Sequence, residues 1–208
     1  MMTQSHIAIG LLVAARSGRK AAITGAIVGG LTPDFFMVPM FLISRFVLGQ
    51  DMSTIWDVTF YGVPWWTIDQ IANSGPLYAI LLGVGLIAGR RTEHWWPKFL
   101  TAFSLTALIH VTLDFLTHNS DGHIHLWPLS DFIFRSPVSY WESDHFGQQF
   151  SLIEAVSGLI AAVVLWRLYK GWAVRTFCGF LVALSLLGLT FTVLFMFGVW
   201  DQPGSAPR

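Results

Sequence analysis

Six apolar runs separated by clusters of charge organise this chain. Ile7–Ala15 is short and Ala21–Leu48 is long; Leu77–Gly89, Phe99–Thr117, Leu152–Trp166 and Phe177–Trp200 follow. The last holds 24 residues without a formal charge, and about 20 apolar residues are enough for a helix to cross a bilayer. The pattern predicts an all-α integral membrane protein, a single multi-pass domain over residues 1–208. It should have about five to six transmembrane or partly buried helices, with outer loops at 49–75 and 118–150, the longer one between the fourth and fifth runs. The nine residues of Ile7–Ala15 are too few to cross alone, so a half-buried or packed helix is expected there. Pro33 and Pro39 interrupt the second run and predict a bend near Asp34, because proline removes a backbone donor and clashes with the preceding turn. Pro76 suits the opening turn of the third helix, where a missing N–H is harmless.

Composition agrees. Hydrophobic residues make up 54% and charged residues 12%, with a mean hydropathy of +0.59, whereas soluble domains carry about 25% charged residues. The formal net charge is zero, which leaves no basic surface for nucleic acid. Cys178 is the single cysteine, so an internal disulfide framework and a cysteine-based zinc knuckle are excluded. The N-terminal residues lack the basic stretch of a secretory signal, and the spanning helices are expected to drive insertion.

The connections alternate in charge. Arg16, Arg19 and Lys20 share one, Arg90, Arg91 and Lys98 another, and Arg167, Lys170 and Arg175 a third. Between them, 49–75 holds Asp51, Asp57 and Asp69 with no lysine or arginine, and 118–150 holds four acids and only Arg135. The positive-inside rule makes the basic connections cytoplasmic and turns the acidic ones outward. Trp56, Trp65, Trp66, Trp95, Trp96, Trp127, Trp141 and Trp200 fall near the predicted ends, as an interfacial aromatic belt requires.

Against this background His6, Asp34, His110 and Asp114 stand out. His110 and Asp114 are four apart in one helix and share a face, which His118 extends. An ionised Asp near the bilayer centre costs about 2.5–3.5 kcal/mol, and a divalent cation is the strongest compensation available. Counted from the basic ends at about 1.5 Å per residue, His6 lies roughly 15 Å deep, Asp34 roughly 21 Å, His110 roughly 18 Å and Asp114 roughly 24 Å. Three separate stretches therefore deliver these ligands to a similar level. Imidazole and carboxylate suit zinc, and also manganese or iron. Asp121 and His118 are the candidates for catalytic acid–base work. His123 and His125 alternate in the outer loop; solvation is the default for them, and completing the metal shell, forming a second site or contacting substrate is the alternative. Glu154, near the start of the fifth run, is expected to reach the interface.

His6, the Gly29-Gly30-Leu-Thr-Pro33-Asp34 turn, and His110-Val-Thr-Leu-Asp114-Phe-Leu-Thr117 followed by Gly122 and Pro128 resemble the YdjM-type membrane-bound metal-dependent hydrolases. The stretch from His118 to Pro128 is similar to a bacterial subgroup often labelled cobalamin biosynthesis proteins. The resemblance covers about the first two-thirds of the chain. It implies a bacterial inner-membrane enzyme with His6, Asp34, His110 and Asp114 at its metal and the site on the periplasmic side. The family's T-H-S element is replaced by Asn73-Ser74-Gly75, so its histidine must come from His118 or from His123 and His125, if at all. The function so implied is hydrolysis of a lipid-like ester or phosphoester, the substrate being an amphiphilic small molecule drawn from the membrane. A metal carrier or sensor without catalysis, and a structural membrane protein held by a His–Asp pair, are the alternatives.

Overall fold

The computed structural model describes residues 2–15 and 19–196. Arg16 and Trp200 lie outside the described residues. Every regular element described is helical: α1 (Thr3–Ala14), α2 (Lys20–Phe35), α3 (Met37–Leu42), α4 (Trp65–Ala72), α5 (Gly75–Gly89), α6 (Trp95–Thr117), α7 (Gly147–Leu168) and α8 (Trp172–Met196), with π-helical turns at Ile43–Val47 and Thr54–Thr59. Four of the described helical segments, Lys20–Val47, Trp95–Thr117, Gly147–Leu168 and Trp172–Leu194, are long and apolar enough to cross a membrane. The pair α4–α5, bent by 44°, makes a fifth if counted as one span. The chain is thus an all-α, multi-pass membrane protein.

Two expectations about the helices are refined. The second apolar run is interrupted at Phe36, one residue beyond the last turn that holds Pro33, yet α2, α3 and the π turn continue as one span. The sharp bend falls instead between α4 and α5, inside the region expected to be an outer loop. There Ser74 caps α5 by accepting the Leu77 N–H at 3.2 Å, and Pro76 occupies the opening turn.

Helix α1 is too short to cross, but it is not peripheral: it packs against α2, α6, α7 and α8. His6, Ala8 and Leu11 are fully buried. Small residues make this possible. A Cβ on Gly10 would stand 2.0 Å from Thr106 Cγ2 of α6, so α1 can lie in the notch only with glycine there. The α2–α6 crossing is closer still. Cβ atoms on Gly25 and Gly29 would meet the carbonyl oxygens of Phe99 and Phe103 at 2.3 and 2.1 Å, a small-xxx-small contact between near-touching backbones.

The termini of these helices sort to two ends. At one, the Tyr169 hydroxyl beyond α7 donates to the Ala15 carbonyl after α1 at 2.7 Å; the basic starts of α2 and α6 lie there too. At the other, the start of α1 meets the ends of α2 and α6 and the start of α7. Glu154 is buried at this second end and accepts the Met2 backbone N–H ahead of α1. It does not reach the interface, because the unsatisfied amide at the helix start supplies a partner inside the bundle.

Gly29→Ala should destabilise the protein by about 1–3 kcal/mol through overpacking. Gly83→Ala, where a Cβ meets nothing within 4 Å, should leave stability unchanged or slightly raised. Thermal unfolding in detergent, followed by intrinsic tryptophan fluorescence, compares the two.

Candidate metal centre

The α1 notch and the α2–α6 crossing together bring His6, His110 and Asp114 into one buried group whose ligand atoms all lie within 4.8 Å of one another. His110 and Asp114 are one turn apart on α6, and His6 reaches in from the first half of α1. The His6 and His110 rings stack at 3.6 Å between centroids, tilted by only 9°. Both turn Nε2 toward the same carboxylate: His6 Nε2 is 3.1 Å from Asp114 Oδ1, and His110 Nε2 is 3.0 Å from Asp114 Oδ2.

The proton positions follow from the neighbours. His110 Nδ1 lies 2.9 Å from the Gly30 carbonyl oxygen, which can only accept, so Nδ1 carries the hydrogen and the neutral ring presents a lone pair at Nε2. Among the described residues, that Nε2 and both nitrogens of His6 make no hydrogen bond of adequate geometry. The His110 lone pair facing this carboxylate calls for a proton or a cation between them, whereas a neutral His6 can carry its hydrogen on Nε2 and aim it at Asp114. Protonating both stacked imidazoles would set two like charges against each other at a cost of about 4 kcal/mol even at an effective dielectric of 20. One divalent cation serves both rings without that repulsion. The spacing fits as well: a tetrahedral ion with bonds of about 2.0–2.1 Å places its donor atoms about 3.3 Å apart. The cluster can hold a divalent metal ion.

Asp34 stands at the edge. Its Oδ1 is 3.3 Å from His110 Nε2, while Oδ2 accepts from the Thr3 hydroxyl. It lies outside the compact three-residue group but within one tetrahedral edge of His110, where a fourth donor would stand.

Beside the cluster opens a cavity of about 450 Å³, whose walls include Thr3, Asp34, Asp114, His118, His123 and Tyr140. His118 Nε2 faces Asp114 Oδ1 at 3.5 Å, and its Nδ1 lies 3.0 Å from Asp121 Oδ2. Asp121 in turn accepts from Trp141 Nε1 at 2.9 Å. Asp121 therefore stands behind His118 and is not among the cavity-lining residues. Burial opposes charge on His118, but the hydrogen bonds and charges of Asp114 and Asp121 outweigh it and hold its pKa up to about 9.

His123 and His125 are buried rather than solvated, contrary to the default for loop residues. The reason is that their loop closes over the α4–α5 junction, where Gly75 N donates to the His125 carbonyl at 2.9 Å and Ser74 donates to the Trp127 carbonyl. His123 lines the cavity, with Nδ1 donating to Asp69 at 2.9 Å. Burial disfavours its charge, yet Asp69 prevails and raises its pKa. His125 takes no part in the cluster. Its Nδ1 points to the Asn73 carbonyl at 3.4 Å and its ring packs edge-on against Phe115; burial, then the charge of His123, lowers its pKa to about 4. The junction Asn73-Ser74-Gly75 supplies no imidazole itself, and the neighbouring ring that turns into the cavity is His123.

Asp69 was not singled out by sequence. It is fully buried and bound by both His123 and Asn73. Its signal was present: Asp69 and Asn73 are four apart on a short helix between paired tryptophans and Pro76. Comparison with family models, curated proteins and solved structures gives no match.

Purified protein should carry about one tightly held divalent ion per cluster. Asp114→Ala should abolish retention and Asp121→Asn should weaken affinity no more than about 10–100-fold, whereas His125→Ala should leave it unchanged. Elemental analysis after dialysis against a chelator measures all three.

Proposed function

We propose that the protein is a membrane-bound, metal-dependent hydrolase of a lipid-like ester or phosphoester. The observation that carries this reading is the meeting of two parts. A buried His6–His110–Asp114 cluster can hold a cation, and it shares its Asp114 wall with a cavity into which an imidazole braced by a carboxylate also faces. A divalent ion, zinc by the donor set, supplies polarisation of an ester or phosphoryl oxygen and an acidified water. Manganese and iron accept the same ligands.

The chain's own residues do the rest. Asp34, held by Thr3, completes the donor set. His118 gives its proton to the leaving oxygen as the ester bond breaks. The water oxygen bonds to the carbonyl carbon or phosphorus, and a water proton returns to His118, so the step balances. Asp121 and Trp141 keep the His118 ring turned toward the cavity; Asp121 is a positioning residue in this scheme rather than a base. Asp69 plays the same part for His123, which is placed to contact the substrate head.

A carrier reading is less well supported, because α6 has no ionisable side chain between Lys98 and His110, and a pathway needs polar groups along its length. The ligand pattern also supports kinship with the YdjM-type hydrolases. With the basic connections cytoplasmic, the site belongs to the periplasmic side of a bacterial inner membrane.

Detergent-solubilised protein should hydrolyse members of a panel of nitrophenyl esters, phosphodiesters and phospholipids, and should lose activity on chelation. His118→Ala should lower kcat by about 10²–10⁴-fold while metal content stays near wild type. Absence of metal-dependent turnover across the panel rejects the enzyme.

A further inference from the structure

A second, larger cavity of about 730 Å³ adjoins the first. It lies where α2 and α5, which both pack on α6 rather than on each other, leave a gap roofed by α4. Val28, Leu31, Phe35, Ile68, Ile71 and Leu81 are among its walls. Two of its lining side chains, Thr32 and Tyr78, carry hydroxyls, and both are already engaged: Thr32 donates to the Val28 carbonyl and Tyr78 to the Ala72 carbonyl, each at 2.7 Å. Both hydroxyl protons are thus spent, and the rest of the named wall is hydrocarbon. Its size is that of a ligand site, about 300–1,000 Å³.

The crevice adjoins the cavity beside the candidate metal centre. Leu31 and Phe35 line both cavities. They stand four apart on α2, so they form one ridge, and Asp34 lies between them in sequence with its carboxylate against His110. On one side of this ridge the walls are carboxylate and imidazole; on the other they are aliphatic. Phe35 is 64% exposed and Ile71 45%, so the apolar side is open to the lipid rather than sealed.

We infer that this crevice is the seat of the hydrocarbon tail of the substrate, the head being held at the His6–His110–Asp114 cluster. The substrate class is then a long-chain ester or phosphoester that enters from the bilayer between α2 and α5, not a water-soluble one. The inference rests on the hydrolase reading for the word substrate, but the binding geometry is testable apart from it.

The full-length protein in lipid nanodiscs, loaded with zinc, is photolabelled with palmitic acid carrying a mid-chain diazirine; its carboxylate can reach the metal as a product head group would. Labelled peptides should concentrate on α4, α5 and the Val28–Phe35 stretch. Ile71→Trp, which fills the crevice from an exposed position, should remove this labelling without changing metal content; Leu77→Trp from α5 is the second variant should the first fold poorly. His110→Ala should lower labelling by about tenfold, the scale on which damage to a metal site weakens it. Labelling spread evenly over the lipid-facing helices, or concentrated in the crevice but indifferent to His110→Ala, means bulk lipid only and overturns the inference. Short-chain and long-chain esters turned over equally, with Ile71→Trp silent, overturn it too while leaving the hydrolase intact. Crevice labelling that depends on His110, without turnover of any long-chain ester or phosphoester, sustains the seat and refutes the hydrolase.

Discussion

A carboxylate buried inside an apolar bundle with imidazoles turned toward it is the constraint on which this structure depends. Asp114 is 2% exposed and is approached by His6, His110 and His118. Burying a carboxylate in low dielectric is costly unless hydrogen bonds or opposite charge match it, and the three facing imidazoles are placed to supply that match. The same arrangement can hold a cation. The Gly30 carbonyl fixes the His110 tautomer, Thr3 holds Asp34, and Asp121 with Trp141 orients His118, so the protein itself sets these side chains in place. Preorganisation of this kind is what lets a small set of ligands bind tightly.

Short α1 is the element that makes the cluster possible. As a lipid-facing helix it would gain little from a residue such as His6. Lodged among α2, α6, α7 and α8 it delivers that imidazole to the interior. Glu154 anchors its first amide at the cavity end and the Tyr169 hydroxyl its last carbonyl at the other. Both anchors come from α7 or the residue that follows it, so the fifth apolar run, which adds no ligand, sets the depth at which His6 sits.

Much of this was legible before the structure. Charges inside apolar runs announce themselves, the i, i+4 spacing of His110 and Asp114 gives one helix face, and counting residues from the basic ends places His6, Asp34, His110 and Asp114 at one level. The bundle class followed from run length alone. What stayed hidden depended on contacts without periodicity. The loop carrying His123 and His125 is pulled inward by backbone hydrogen bonds to the α4–α5 junction, and no pattern of polar and apolar residues encodes those. Asp69 was absorbed into the charge of an acidic loop because α4 is short, and Glu154 lay close enough to a helix end for the interface to seem sufficient. Pro33 raised the opposite problem: its effect depends on its place in the last turn of α2, where interruption without a sharp bend is the result.

The glycine contact between α2 and α6 reaches further than packing. Gly30, whose carbonyl grips His110, follows directly after Gly29, the point of closest approach to Phe103. The gap between these two backbones thus bears on how α2, which carries Asp34, and α6, which carries His110, stand to one another at the cluster. The size of any ion held there would then be a matter of interhelical separation, set by glycines outside the cluster.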